Sequence, residues 1–428
     1  MVQQPALSFP SVTRHPSFLE GLDVYRVPVH LQPARRIDVL SHLSGAFDLA
    51  EGQPVGHSVR VAHLAGAFAR ALKLSATARR RVAYTALLHD AGVAVRALPD
   101  EVDGAGGHTA AGAWVAELMG LESEVQTAIR ATHERWDGEG RPHRLAMDDV
   151  PVEALLVSAA HWVADFMGAV SHPLRVRAEL RGVTLDDLEP IVGLRVGRAV
   201  IDELRSDAVW MLLWNDDLAL HVAQSVPGEG RPSHHHVDRL ATAIGRMVDA
   251  SVHEPGHASS VAMLAVEIGR QLDLDESYRR ALRIASQVID LGQLGVPRHI
   301  TEKPAILSVD EMDIMRQHPG WAAQILEPIP GFLEVARWVE AHHERPDGRG
   351  YPEGLDGNEV PLGARILAVT DSFWALCSER PYRPALTPLQ AVGVIEDGAG
   401  TQYDPSVVRV LRAALAAMRA HSRRADAA

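Results

Sequence analysis

Apolar residues recur at three- and four-residue steps along most of this chain, and that period predicts helices rather than strands. Val61, Leu64, Ala65, Phe68 and Leu72 line one such face. Residues 80–92 (RRVAYTALLHDAG) read as an apolar helix ending on His89, Asp90 and Gly92. Residues 332–341 form another apolar helical run, which meets two adjacent imidazoles, His342 and His343, and then a Gly- and Pro-punctuated loop reaching Leu355. A third run, 366–374, carries Asp371 in an otherwise apolar helix, where a buried carboxylate needs a partner.

The helical pattern breaks once and then repeats itself. Gly56-His57-Ser58 returns as Gly256-His257-Ala258, and Leu88-His89-Asp90-Ala91-Gly92 returns as Val288-Ile289-Asp290-Leu291-Gly292, both at an offset of 200. After an insertion near residues 297–308 the offset becomes 210. His108 then pairs with His318, Thr132-His133-Glu134 with His342-His343-Glu344, Gly140 with Gly350, Pro142 with Pro352, and His161 with Asp371. So many ordered matches imply an all-α chain of two similar helical domains. We expect an irregular arm over 1–36, a first domain over 37–225, a linker over 226–236 that includes His234, His235 and His236, and a second domain over 237–428.

Composition narrows the function classes. The chain has 428 residues, room for two or three domains at about 150 residues each. A net charge of −13 argues against a broad nucleic-acid-binding surface. The single cysteine, Cys377, excludes an intramolecular disulfide and a thiolate metal site. No apolar run approaches the roughly 18 residues of a membrane span, and residues 1–7, without a charged stretch ahead of an apolar core, lead us to expect no signal peptide. These features predict a cytoplasmic protein with neither nucleic acid nor membrane as partner. The 22 histidines are the oddity. The register of the repeat sorts twelve positions into two sulfur-free sets: His57, His89, Asp90, His108, His133 and His161, and then His257, Asp290, His318, His342, His343 and Asp371. Imidazole with carboxylate suits iron, manganese, nickel or zinc. Two metals a few ångströms apart would hold a phosphoryl group and lower the pKa of a water. Taken singly, each histidine reads more simply as a capping or core residue; the register favours ligands. His161 stays balanced between a ligand and a space-filling side chain.

Both halves resemble the HD superfamily of metal-dependent phosphohydrolases. The second is similar to its HD-GYP branch, the cyclic di-GMP phosphodiesterases. The resemblance rests on residues 291–297, Lys303-Pro304, His318-Pro319, residues 342–355, residues 364–371 and the Glu379–Arg383 segment, and in the first half on His57 and His89-Asp90. It implies a divalent metal, iron or manganese, one or two per active domain. It makes Asp90 and Asp290 the catalytic, bridging carboxylates. It places Arg380, Arg383, Gly350 and Tyr351 on a cyclic dinucleotide. It also leaves the Gly350-Tyr351-Pro352 loop as a surface for signalling proteins and is compatible with a homodimer. The departures are specific. Ile289 stands where the family has the histidine of its His-Asp doublet, and Gln293 and Val93 stand at the lysine three residues beyond Asp. Thr132, Arg141 and His161 replace the first adjacent histidine, the Gly-Tyr-Pro tyrosine and the final aspartate. Two expectations follow: a cyclic di-GMP phosphodiesterase, or a degenerate pair that binds nucleotide, metal or a partner protein without turnover. If chemistry survives, the first domain has the better claim to the doublet and the second to substrate recognition. His57, His89, Asp90 and His161 would then hold one metal, and His108 and His133, with bridging Asp90, a second.

Overall fold

The computed structural model describes residues 29, 31–95, 107–169, 173–215, 217–228, 230–252, 255–379 and 383–425. Among them there are helices and no strands, with two isolated bridges, Asp347–Asp356 and Ala399–Tyr403. The arm expected over 1–36 lies almost wholly outside the described residues. The chain divides into two units, one built on Arg35–Leu240 and one on Ala241–Ala428. The histidines 234–236, expected in the linker, instead open the helix His234–Val252. None of the helices among the described residues is long and apolar enough to cross a membrane.

The first unit is organised around His57–Ala71, which packs on Ala76–Leu88 and on Val152–Ala169. Val61, Leu64, Ala65 and Phe68 are fully buried there, as their spacing predicts. Leu72 falls past the last turn and is only half-buried. The helix starts at His57 for a local reason. Gly56 takes φ 93, a left-handed value that a side chain would strain. Asp48, the buried carboxylate ahead of it, accepts from the Gly56 N–H at 2.7 Å, the Ser58 N–H at 2.9 Å and the Ser58 hydroxyl at 2.6 Å. Burial nevertheless pushes the Asp48 carboxyl up to about 6.

The second unit repeats the device. Gly256 takes φ 84, and Asp249 accepts from the Gly256 and Ala258 N–H groups at 2.9 and 3.1 Å. Its central helix, His257–Gln271, packs on Glu276–Val288 and on Leu362–Cys377. In both units a short 3-10 turn follows the second of these helices: Ala91–Ala94 and Leu291–Gly295. Each turn presses a glycine onto a later helix, opened by His108 in one unit and His318 in the other. A Cβ on Gly92 would lie 1.8 Å from the His108 carbonyl oxygen, and one on Gly292 would lie 1.9 Å from that of His318. Only glycine permits this approach, and the approach brings Asp90 and Asp290 beside His108 and His318.

Candidate metal centres

In the first unit, donor atoms of His57, His89, Asp90 and His161 lie within 4.8 Å of one another. So do those of Asp90, His108 and His133, and Asp90 belongs to both sets. His57 opens its helix and is 2% exposed, and its Nε2 is buried without a hydrogen-bond partner. Burial, with His89 and His161 alongside, pulls its imidazole down to about 3, so the ring is neutral. His89 ends the helix Ala76–Leu88, and its Nδ1–H donates to the Ala86 carbonyl at 2.7 Å. That bond turns Nε2 towards Asp90 Oδ2 and His161 Nδ1, both 2.7 Å away. Burial works against a charge on His89, but the Asp90 carboxylate and the Ala86 carbonyl outweigh it and raise the imidazole to about 9. In the second set, His108 Nε2 lies 2.8 Å from His133 Nε2.

The second unit also holds two sets: His318, His342 and His343, and His257, Asp290 and Asp371. His318 donates Nδ1–H to the Met315 carbonyl at 2.8 Å and His342 to the Val339 carbonyl at 2.5 Å. Their Nε2 atoms are buried and unpartnered. Burial comes first in lowering His318 to about 4 and in holding His343 well below the usual imidazole range. His257 Nε2 stands 3.0 Å from Asp371 Oδ1. Where the first unit has His89, this one has Ile289, 1% exposed. Where the family resemblance leads one to look for a lysine, Gln293 donates Nε2–H to Asp290 Oδ1 at 2.6 Å; Asp290, expected to bridge, belongs to only one of this unit's two donor sets.

The donor sets fit a divalent transition metal. In them His318 and His342 are buried imidazoles whose Nδ1 protons are spent on main-chain carbonyls and whose Nε2 atoms have no hydrogen-bond partner, and a carboxylate stands among the imidazoles of three of the four sets.

Beside the second unit's histidines lies a cavity of about 250 Å³, lined by His342, His343, Tyr351, Arg316, Arg345 and Arg349 among others. Tyr351 stacks on His343 with ring centres 4.7 Å apart, and the Arg316 guanidinium sits 5.8 Å above the Tyr351 ring. Arg345 is forked onto Asp347. Of the residues expected on substrate, Tyr351 therefore lines the cavity. Gly350 does too, but it also packs tightly, since a Cβ would lie 2.4 Å from Glu344 Cα. Arg383 gives its guanidinium to the carbonyls of Ala375, Leu376 and Pro384. Arg380 lies outside the described residues.

Sequence reasoning missed the residues that hold the loops. Glu344 is 3% exposed and accepts from the N–H groups of Glu353, Gly354 and Leu355 at 2.7, 3.0 and 3.0 Å. Glu134, 1% exposed, accepts from those of His143 and Leu145 at 2.6 and 3.0 Å. The signal was available: glutamate directly follows histidine at matching places in both repeats.

HD-domain models match residues 55–164 and 244–407. The chain belongs to the HD-domain family. It carries the domain twice. It is 31% identical over 310 residues to the 3'3'-cGAMP-specific phosphodiesterase 3 of Vibrio cholerae, covering 71% of this chain and 66% of that protein. It is 34% identical over 180 residues to the cyclic di-GMP phosphodiesterase response regulator RpfG of Xanthomonas campestris, covering 41% of this chain and 48% of that one. The chain thus spans 66% and 48% of these two relatives' lengths. A crystal structure of cyclic GMP-AMP specific phosphodiesterases from V. cholerae superposes with a TM-score of 0.66 at 24% identity, over 90% of this chain and 98% of that one, and shares its fold.

Proposed function

We propose that this tandem HD protein is a metal-dependent phosphodiesterase that hydrolyses a cyclic dinucleotide, cyclic di-GMP first among them, in the cytoplasm. The observation that carries the reading is Asp90, a 3%-exposed carboxylate common to two imidazole sets in one unit. Iron or manganese ions held by those sets would supply an acidified water and positive charge for the phosphoryl oxygens. The chain's own part is to hold the donors still. The main-chain carbonyls fix the imidazole tautomers, the close approach at Gly92 sets Asp90 against His108, and the burial of His57 keeps it neutral. In the second unit, the cavity beside His343 offers Arg316, Arg349 and Tyr351 to a nucleotide. We also propose signalling proteins as partners at the loop carrying Gly350, Tyr351 and the exposed Pro352, and a homodimer.

A second reading concerns the second unit alone. Ile289 and Gln293 leave it one imidazole and one cation short, which favours binding of nucleotide or metal there without turnover. The test is metal content and hydrolysis of cyclic di-GMP and 3'3'-cGAMP by wild type, His89→Ala and His342→Ala. The proposal expects His89→Ala to abolish hydrolysis with loss of metal, and His342→Ala to raise KM more than it lowers kcat. Metal-free wild-type protein, prepared anaerobically with iron and manganese supplied, would refute the enzyme. Hydrolysis lost with His342→Ala and kept with His89→Ala would move the chemistry to the second unit.

A further inference from the structure

His161 binds the other way round from its neighbours. His89, His318 and His342 each spend Nδ1–H on a carbonyl three residues back and present Nε2. His161 spends Nε2 on the carboxylate of Asp165, whose Oδ2 is 2.8 Å away, and presents Nδ1. Asp165 lies one turn further along the same helix, Val152–Ala169, so the pair is a local i, i+4 contact. The consequence appears at His89. Its Nδ1 proton is committed to Ala86 and that of His161 Nε2 to Asp165, yet His89 Nε2 and His161 Nδ1 stand 2.7 Å apart. With the outer nitrogens so engaged, His89 Nε2 and His161 Nδ1 are the two inward-facing atoms, and the space between them takes a cation, a proton or a metal ion. His57, with its unpartnered Nε2, closes the group from the side, its ring centre 5.1 Å from that of His161.

We propose that Asp165 is the positioning carboxylate of the first metal centre. It locks His161 in the tautomer that ligates through Nδ1, and it returns to the centre the negative charge absent where an imidazole replaces a carboxylate ligand. The inference rests on the reading of this unit as a metal site but not on its catalysing hydrolysis. A carboxylate behind a ligating imidazole fixes the ring and raises its basicity, and losing one costs about 10- to 100-fold in metal affinity.

The test is Co2+ binding to the full chain by calorimetry and by the visible absorption of the bound ion. It compares wild type, Asp165→Asn, His161→Asp, and the double variant. Asp165→Asn should weaken one class of site by about 10- to 100-fold and shift its absorption, while sites that respond to His342→Ala stay unchanged. His161→Asp supplies a carboxylate ligand directly, so it should bind near the wild-type level, and adding Asp165→Asn to it should change nothing further. Wild-type affinity in Asp165→Asn would overturn the proposal. An equal loss in the His161→Asp background would overturn it too, since the effect would then run through the helix rather than through His161. Absence of any cobalt site that responds to His161 would do the same. Failure of hydrolysis alone, with the coupling between positions 161 and 165 intact, would refute the phosphodiesterase and leave this inference standing.

Discussion

Gly92→Ala should damage the first centre more than any other single added methyl group. The new Cβ would sit 1.8 Å from the His108 carbonyl oxygen and 2.4 Å from the Gly112 nitrogen, both main-chain atoms that cannot rotate away. Ordinary contact begins near 3.4 Å, so the turn and the helix His108–Leu118 must part by roughly 1.5 Å, in an interior that yields little. Overpacking of this kind costs about 1–3 kcal/mol, and with backbone on both sides we expect the upper end. Metal ligands tolerate errors of only about 0.2 Å, so the Asp90, His108 and His133 set should lose at least about tenfold in affinity. The control is Gly168→Ala, which meets nothing within 4 Å in the same unit. Removing a helical glycine without a clash should be neutral or stabilise by about 0.5–1 kcal/mol. Urea denaturation, fitted as two transitions because the chain has two units, gives the stability, and Co2+ titration gives the affinity. If Gly92→Ala denatures like Gly168→Ala and binds cobalt like wild type, the close approach of turn and helix is not what sets Asp90 against His108.

Three further outcomes are expected. Glu344→Gln keeps one acceptor oxygen for three main-chain donors; with charged hydrogen bonds worth about 1.5–3 kcal/mol each, the second unit should lose about 2–3 kcal/mol. The amides of residues 353–355 should then exchange faster with D2O, and unchanged exchange would disprove the role given to that carboxylate. Asp48 is raised from 3.8 to about 6 in the folded chain, chiefly by burial, so the native state holds the extra proton in that window. Wild type should therefore gain stability relative to Asp48→Asn as pH falls from about 6 towards 4, and parallel denaturation profiles for the two proteins across that range would contradict it. Ile289→His puts an imidazole into a 1%-exposed site beside Asp290. Without metal it should destabilise by about 1–3 kcal/mol. With metal, the His257, Asp290 and Asp371 set should tighten by about tenfold or more; unaltered cobalt affinity would show that position 289 does not face that set.

The helical architecture and the clustering of the donor residues were legible because each leaves a periodic trace. The 3.6-residue spacing around Leu64 and Phe68 marks a buried face, and the duplication lines up His57 with His257 and Asp90 with Asp290 without a coordinate in hand. What escaped are groups whose work is a local hydrogen bond. Glu134 and Glu344 look in sequence like solvated turn residues, since nothing in composition says that three amides will converge on one of them. Asp165 looks like the polar side of a helix. Its meaning depends on which nitrogen of His161 faces inward, and spacing does not encode a tautomer. Histidines 234–236 follow a Pro/Gly stretch and suggest linker, yet helix His234–Val252 takes them as its first turn. Arg383 was read for its charge, and its guanidinium is engaged with three carbonyls past the end of the helix Leu362–Cys377.

The two copies have lost different things, and the losses follow a physical logic. The first keeps the doublet and the shared carboxylate but has Arg141 where the second has Tyr351, and so lacks the ring that stacks on His343. The second keeps its paired histidines, that tyrosine and an arginine-lined cavity, but has an alkyl group beside Asp290 and an amide on it. The buried Asp90 carboxylate is balanced within the unit by the His89 imidazole, 2.7 Å away and raised to about 9. The second unit has no such imidazole, since Ile289 stands beside Asp290. In the first unit His161 occupies the expected aspartate position with its own carboxylate, Asp165, behind it. On the positioning role proposed for Asp165, the charge an aspartate ligand would bring is supplied from one turn away, and the first centre keeps its match to a cation.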